Sequence, residues 1–210
     1  MIRHQNKSIK LNRHRFERKT GFRPRNVIFV ISTEGKETEP IYFRAFNNLS
    51  ANVHCEVLPS KSGSASPSHV FKRAKEKSKK IDLRKNDEIW VVIDRDNRHI
   101  EQVKEVFYMC KKAGIEFAIS NPKFELWLLL HFEFPSARTI NTSQDCTERL
   151  RKYISNYEKS HFDVNKIILK ANEAIERAEK NYSDFDPLSD TTGTNVHLLV
   201  KKIVESSSKP

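Results

Sequence analysis

Asn26-Val-Ile-Phe-Val-Ile-Ser32, followed at once by Thr33-Glu-Gly-Lys-Glu-Thr-Glu-Pro40, is the stretch from which the fold can be read. The first half is a short run of β-branched and aromatic residues bounded by Pro24 and Gly35, the pattern of a strand. Its apolar residues do not alternate with polar ones, so the strand is expected to be covered on both faces, as in a parallel sheet. The second half is a polar turn. Thr38 is placed to cap a helix whose first turn would hold Glu39 and Pro40, both favourable there. That helix would run through Ile41, Tyr42, Phe43 and Phe46 to about Leu49.

The same pattern recurs downstream. Glu88-Ile-Trp-Val-Val-Ile93 reads as a second buried strand, ending at Asp94-Arg-Asp-Asn97. Weaker strands are expected at 53–58 and 115–120, and helices at 67–80, 99–113 (closed by Gly114) and 124–132, after the break at Asn121-Pro122. Strands alternating with helices predict an α/β fold with a parallel sheet flanked by helices. Residues 26–134 would form this core and 135–205 a mostly helical C-terminal extension packing on it. Helices are expected there at 148–157, 164–181 and 196–204, with a frayed tail at 206–210.

Of the 210 residues, 37% are hydrophobic and 31% charged, a balance that suits a soluble chain with a modest core. No apolar run is long enough to span a bilayer, and the basic, polar start lacks the apolar centre of a signal peptide. Cys55, Cys110 and Cys146 are scattered and odd in number, which argues against a disulfide framework and for a cytoplasmic setting. The net charge is +11 and unevenly spread: residues 1–25 hold nine basic side chains, Arg23 and Arg25 among them, against Glu17 alone, nine minus one giving +8. Such an arm attracts polyanions by releasing their counterions; the acidic face of a partner protein would serve equally.

In open parallel sheets, functional groups gather beyond the carboxyl ends of the strands. The two strongest strands end at Glu34 and at Asp94 and Asp96. Were they neighbours, three carboxylates would converge on one rim, the Asp-x-Asp spacing sending two side chains to the same side of an extended segment. Such oxygen donors suit Mg²⁺ or Mn²⁺, which would polarise a phosphodiester. Glu34 would be a general base, a general acid or a further ligand. The competing reading of Asp-x-Asp is a turn-and-cap arrangement.

Around this cluster, Lys36, Arg95 and Arg98 could hold a phosphate, the arginines alternatively only offsetting the carboxylates. Lys72 and Arg73 open a basic helix that would track a nucleic-acid backbone or form a solvated face. Glu125 stands in apolar company, costly unless paired or coordinated, though a helix N-terminus tolerates a carboxylate facing solvent. Asn121 would bind a ligand or cap the next helix. His131 is expected to be a packed residue, as are Trp90 and Trp127.

The order of motifs resembles the RloB-like family. Residues 27–43 carry its E-G-x-x-T-E-x-x-Y-F turn and helix, Val91-Val-Ile-Asp-Arg-Asp96 its strand with D-x-D, and residues 120–132 its third block, with a looser fourth at 191–200. That family is similar to Toprim domains, and the resemblance implies a Toprim-like sheet with the Toprim glutamate at Glu34 and metal-binding aspartates at Asp94 and Asp96. It also implies a site role for Glu125, and an effector in phage defence or abortive infection working with an AAA- or ABC-type ATPase. Arg95 between the aspartates, with no further acidic residue close behind, departs from the expected pattern. The function expected is metal-dependent cleavage of nucleic acid, DNA or RNA, transfer RNA included. The alternative is a non-catalytic adaptor that binds an ATPase partner and nucleic acid.

Overall fold

A computed structural model describes residues 26–60, 66–96, 100–135, 140 and 142–208. The basic arm at 1–25, with Arg23 and Arg25, and Arg98 lie outside the described residues. Strands β1 (Val27–Thr33), β2 (Val53–Leu58), β3 (Glu88–Asp94) and β4 (Glu116–Asn121) pair in parallel, and a two-residue β5 (Gly193–Thr194) adds antiparallel to β4. The order across the sheet is β2-β1-β3-β4-β5. The sequence predicts a parallel sheet, and four strands obey it. The fifth has no apolar run to announce it.

Strand side chains alternate between faces, and the two cores divide accordingly. Phe29 and Ile31 of β1, with Trp90 and Val92 of β3, enter the larger core; Val30, Ile89, Val91 and Ile93 enter the other. Helices α2 (Pro67–Ser78) and α3 (Ile100–Ala113) cover the second face. Gly114, at φ +64°, ends α3 in the left-handed conformation that glycine adopts without penalty. Helix α1 (Thr38–Ala45), prolonged by a 3₁₀ turn at Phe46–Asn48, lies on the first face with α4 (Glu125–Leu130), α5 (Ser143–Arg151), α6 (Val164–Ile168), α7 (Ala171–Tyr182) and α8 (Val196–Ser207). Residues before and after position 135 share this core, so the C-terminal helices are built into the sheet's own hydrophobic interior.

The C-terminal region departs most from expectation. Helix α5 begins five residues earlier than predicted, because Thr142 and Asp145 form a reciprocal capping box. It ends at Arg151, and the stretch expected to stay helical to Tyr157 instead turns into a hairpin bridged between Glu158 and His161. The single helix expected over 164–181 is broken into α6 and α7. Helix α8 continues to Ser207, into the stretch read as a tail. At the far edge of the sheet the Asn195 side chain extends β5: its Oδ1 accepts from the Ile119 N–H at 2.7 Å and its Nδ2 donates to the Phe117 carbonyl at 3.1 Å. Among the described residues no helix is long and apolar enough to cross a membrane.

Candidate active site

The sheet order reverses direction at β1: β2 lies on one side of it and β3 on the other. The loops leaving the carboxyl ends of β1 and β3 therefore diverge and leave a crevice between them. Register places Thr33 beside Val92, and the Glu34 N–H donates to the Val92 carbonyl at 3.1 Å. Glu34 thus stands next to Asp94, whose backbone N–H points at Glu34 Oε2 across 3.4 Å. The two carboxylates that the sequence placed after separate strands are brought together.

They line a cavity of about 370 Å³ together with Lys36, Glu39, Asp96, Glu125 and Lys159. Glu39 is the residue that sequence reasoning missed. It was read only as a favourable first-turn residue, yet it is 5% exposed and turned into the cavity. Its Oε1 accepts the Gly35 N–H at 2.9 Å. A Cβ at position 35 would run into the Glu39 carboxylate, which would have to shift to admit it, so the glycine allows the carboxylate its present close approach to the turn. The second glutamate of the E-G-x-x-T-E turn was the signal that could have found it.

Glu125, at 2% exposure, is buried rather than turned to solvent. The Tyr157 hydroxyl donates to its Oε1 at 3.2 Å, and the Lys123 ammonium lies 3.9 Å from its Oε2. Tyr157 and Lys159 come from the hairpin after α5, which is latched to the site where the Thr38 hydroxyl donates to the Lys159 carbonyl. Asp96 sits at the mouth, exposed, in a turn at φ +41° that aspartate tolerates better than most residues. Its Oδ1 accepts from Ser143 Oγ at the start of α5.

Crowding of like charges in a poorly solvated pocket leaves a clear electrostatic signature. Burial pushes Glu39 up to about 7, with Glu125 and Glu34 adding to the rise and the backbone N–H groups of Glu39 and Gly35 opposing it. Asp94, although half-buried, is raised well above the usual carboxylate range by desolvation and by Glu39, Glu125 and Glu34, with Lys159 opposing. The pocket holds more carboxylates than its cations offset.

As the side chains stand, no group of three or more histidine, cysteine, aspartate or glutamate residues among the described residues is spaced to hold a metal ion. The donor set nevertheless fits a hard divalent cation: all oxygen, partly desolvated, and repelling one another in the cation's absence.

The cationic residues divide. Lys36 lines the cavity. Arg73 reaches from α2 to the end of β1, its Nη2 donating to the Thr33 carbonyl at 2.7 Å, within the field of Glu34. Lys72 is exposed on the same helix and does not line the cavity. Arg95 is buried and paired with Asp190, away from the carboxylates that flank it in sequence. Asn121 neither faces the cavity nor caps α4: its Nδ2 donates to the Asp190 and Thr191 carbonyls and ties down the segment before β5. His131 is packed, as expected. Its Nδ1 faces the Trp127 and Leu128 carbonyls, its Nε2 lies 3.1 Å from the Tyr42 hydroxyl, and burial lowers it to about 3, so the ring is neutral.

A family model described as RloB-like protein matches residues 29–203. The chain belongs to the RloB-like family. No curated protein and no solved structure matches it. The match begins inside β1 and ends inside α8, so all of the sheet but the first two residues of β1, the acidic crevice and the hairpin that carries Tyr157 and Lys159 fall within it. The residues that line the crevice therefore lie within the stretch of this RloB-like chain that the family model matches.

Proposed function

We propose that this RloB-like protein is a Toprim-type nuclease that uses Mg²⁺ or Mn²⁺ to cleave nucleic-acid phosphodiesters. The observation that carries the reading is the convergence of Glu34, Glu39, Asp94 and Glu125, with Asp96 at the mouth, on one crevice that also admits Lys36 and Lys159. Surplus carboxylates call for a cation, and the lysines beside them suit the phosphate that the cation would bring. Glu34, Asp94 and Asp96 would hold the metal, which when bound would supply Lewis-acid polarisation of a phosphoryl oxygen. Lys36 and Lys159 would orient the phosphate, and Arg73 would steady the Glu34 turn from behind. Glu125, fixed by Tyr157 and Lys123, would manage a proton at the attacking or leaving oxygen while the new P–O bond forms and the bridging one breaks. The resemblance to defence effectors extends the proposal to an AAA- or ABC-type ATPase partner and a role against phage.

The test is end-mapping of labelled RNA, single-stranded DNA and duplex DNA incubated with Mg²⁺ or Mn²⁺, paired with calorimetric titration of the cation. Asp94→Asn is expected to lower cleavage by about 10²- to 10³-fold, the scale of losing one preorganised electrostatic group, and to weaken cation binding. Strand binding without cation binding or cleavage, with the ATPase present or absent, would replace this reading by that of a non-catalytic adaptor.

A further inference from the structure

Helix α2 covers the face of the sheet opposite α1, and its outer side is densely basic. Between Pro67 and Lys80 the chain places Lys72, Arg73, Lys75, Lys77, Lys79 and Lys80 against Glu76, six minus one giving +5. Two of these cations are engaged by the fold. Arg73 donates to the Thr33 carbonyl, and Lys77 pairs with Glu56 of β2. Lys72, Lys75, Lys79 and Lys80 have no ion pair among the described residues, and Glu76, exposed on the same helix, supplies none.

Helical spacing sets three of these lysines in a row. Lys72, Lys75 and Lys79, the last of them the C-cap, stand at i, i+3 and i+7 and form one stripe. The helix dipole favours cations in the last turn, where Lys75 and Lys79 lie, but offers nothing to Lys72 in the first half of the helix. Lys75 and Lys79 are moreover like charges four residues apart, which an isolated helix disfavours. No large apolar side chain is exposed on α2. A protein partner would need one for the desolvated centre of its interface, whereas a uniformly charged polyanion needs only the row of cations.

The upper end of the stripe is tied to the rim of the acidic crevice. Ser32 Oγ donates to the Val70 carbonyl at 2.9 Å, and Arg73 reaches the end of β1 at Thr33. Lys72, between these two anchors in sequence, is thereby held behind the turn whose Glu34 and Lys36 line the crevice. From Lys72 to Lys79 the helix advances roughly 10 Å at about 1.5 Å per residue. That is the axial length of about three nucleotides of one strand.

We infer that the Lys72, Lys75 and Lys79 stripe of α2 is a track for the backbone of a polynucleotide that leaves the acidic crevice over the Glu34 turn. The inference rests on the nuclease reading for the phosphodiester in the crevice. It adds a direction, across β1 toward α2 rather than over β4 toward β5, and a length, since a strand confined to the crevice gains nothing from the helix. Arg73 and Lys77, held by Thr33 and Glu56, are not part of the track.

The experiment measures binding of fluorescein-labelled uridine tetra-, octa-, dodeca- and hexadecanucleotides by anisotropy between about 50 and 200 mM salt. Ca²⁺ replaces Mg²⁺, so that oxygen-ligand binding is kept in a looser geometry. Wild type is compared with the triple variant Lys72→Gln, Lys75→Gln, Lys79→Gln, whose glutamines keep the helix propensity of lysine, and with the corresponding triple arginine variant. On the longest strand the glutamine variant should lower the slope of log affinity against log salt by about 2, three contacts at about 0.7 each. The arginine variant should keep the slope, which separates charge from folding. Wild-type affinity should go on rising at lengths where that of the glutamine variant has levelled off. Equal slopes in wild type and glutamine variant overturn the track. A loss by the same factor at every length overturns the route from the crevice, because the helix would then bind strands on its own. Poly-glutamate that competes as strongly as the strand at equal charge gives the face to an acidic protein and overturns the assignment to nucleic acid. Wild-type cleavage in Mg²⁺ is scored separately: a changed slope without cleavage removes the nuclease reading and leaves the track, and cleavage with an unchanged slope does the reverse.

Discussion

Replacing Glu39 by glutamine tests the electrostatics of the acidic crevice without touching its shape. The side-chain oxygen can still accept the Gly35 N–H, but the group no longer ionises. In the wild type Glu39 titrates at about 7, against an ordinary value of 4.5. Between these values the folded chain keeps a proton that the unfolded chain releases, so stability falls as pH rises. The contribution is complete below pH 4.5 and is lost on passing through pH 7. A rise of this size corresponds to roughly 3 kcal/mol at 1.36 kcal/mol per pH unit, or roughly 10 °C in Tm for a chain of this length. Scanning calorimetry in EDTA at pH 5, 6, 7 and 8 should show Glu39→Gln melting close to wild type at pH 5 and well above it at pH 8. Asp94 contributes to the decline in both proteins, and because Glu39 helps to raise Asp94 the difference between the curves reports Glu39 together with its repulsion of Asp94. Parallel curves over this range would refute the claim that Glu39 is ionised at a cost within a carboxylate cluster.

Tyr157→Phe removes the hydroxyl that donates to the buried Glu125. A loss of about 1–3 kcal/mol is expected, read as a lower Tm in thermal melts. Gly35→Ala forces a methyl group into the Glu39 carboxylate, at about 1–3 kcal/mol of strain. Combining it with Glu39→Ala should cost clearly less than the sum of the two single changes, and strict additivity would show that the contact does not exist. Lys36→Ala should weaken nucleic-acid binding and reduce the slope of log affinity against log salt by about one; an unchanged slope would take Lys36 away from the phosphate path.

The strands that decide the fold were legible because they are buried on both faces and therefore apolar throughout. The expected start and end of β2 are those observed, and β1, β3 and β4 shift by about one residue. Glu34, Asp94 and Asp96 were legible as a group because strand ends are where an open sheet places its chemistry. Glu39 was not, since a glutamate in a helix's first turn is ordinarily a surface residue favoured by the helix dipole. Only the three-dimensional approach of Gly35 turns it inward. The hairpin bearing Tyr157 and Lys159 was unreadable for a related reason. Its polar composition suits a surface helix, and the contacts that fold it instead, to Thr38 and Glu125, lie 121 and 32 residues away in sequence. Arg95 misled in the other direction, because its place between two aspartates says nothing of Asp190, which claims it.

Asn195 carries a consequence for how the molecule meets copies of itself. Beyond the two residues paired with β5, the outer rim of β4 would offer the peptide groups of Phe117 and Ile119 to any extended segment nearby. The Asn195 amide occupies them as a neighbouring peptide would, and its own backbone N–H takes the Ile119 carbonyl. One side chain thus ends the sheet where a further strand would otherwise be invited. Asn195→Ala would leave that rim unoccupied, and the outcome to look for in sedimentation is concentration-dependent self-association of a chain whose crevice is unaltered.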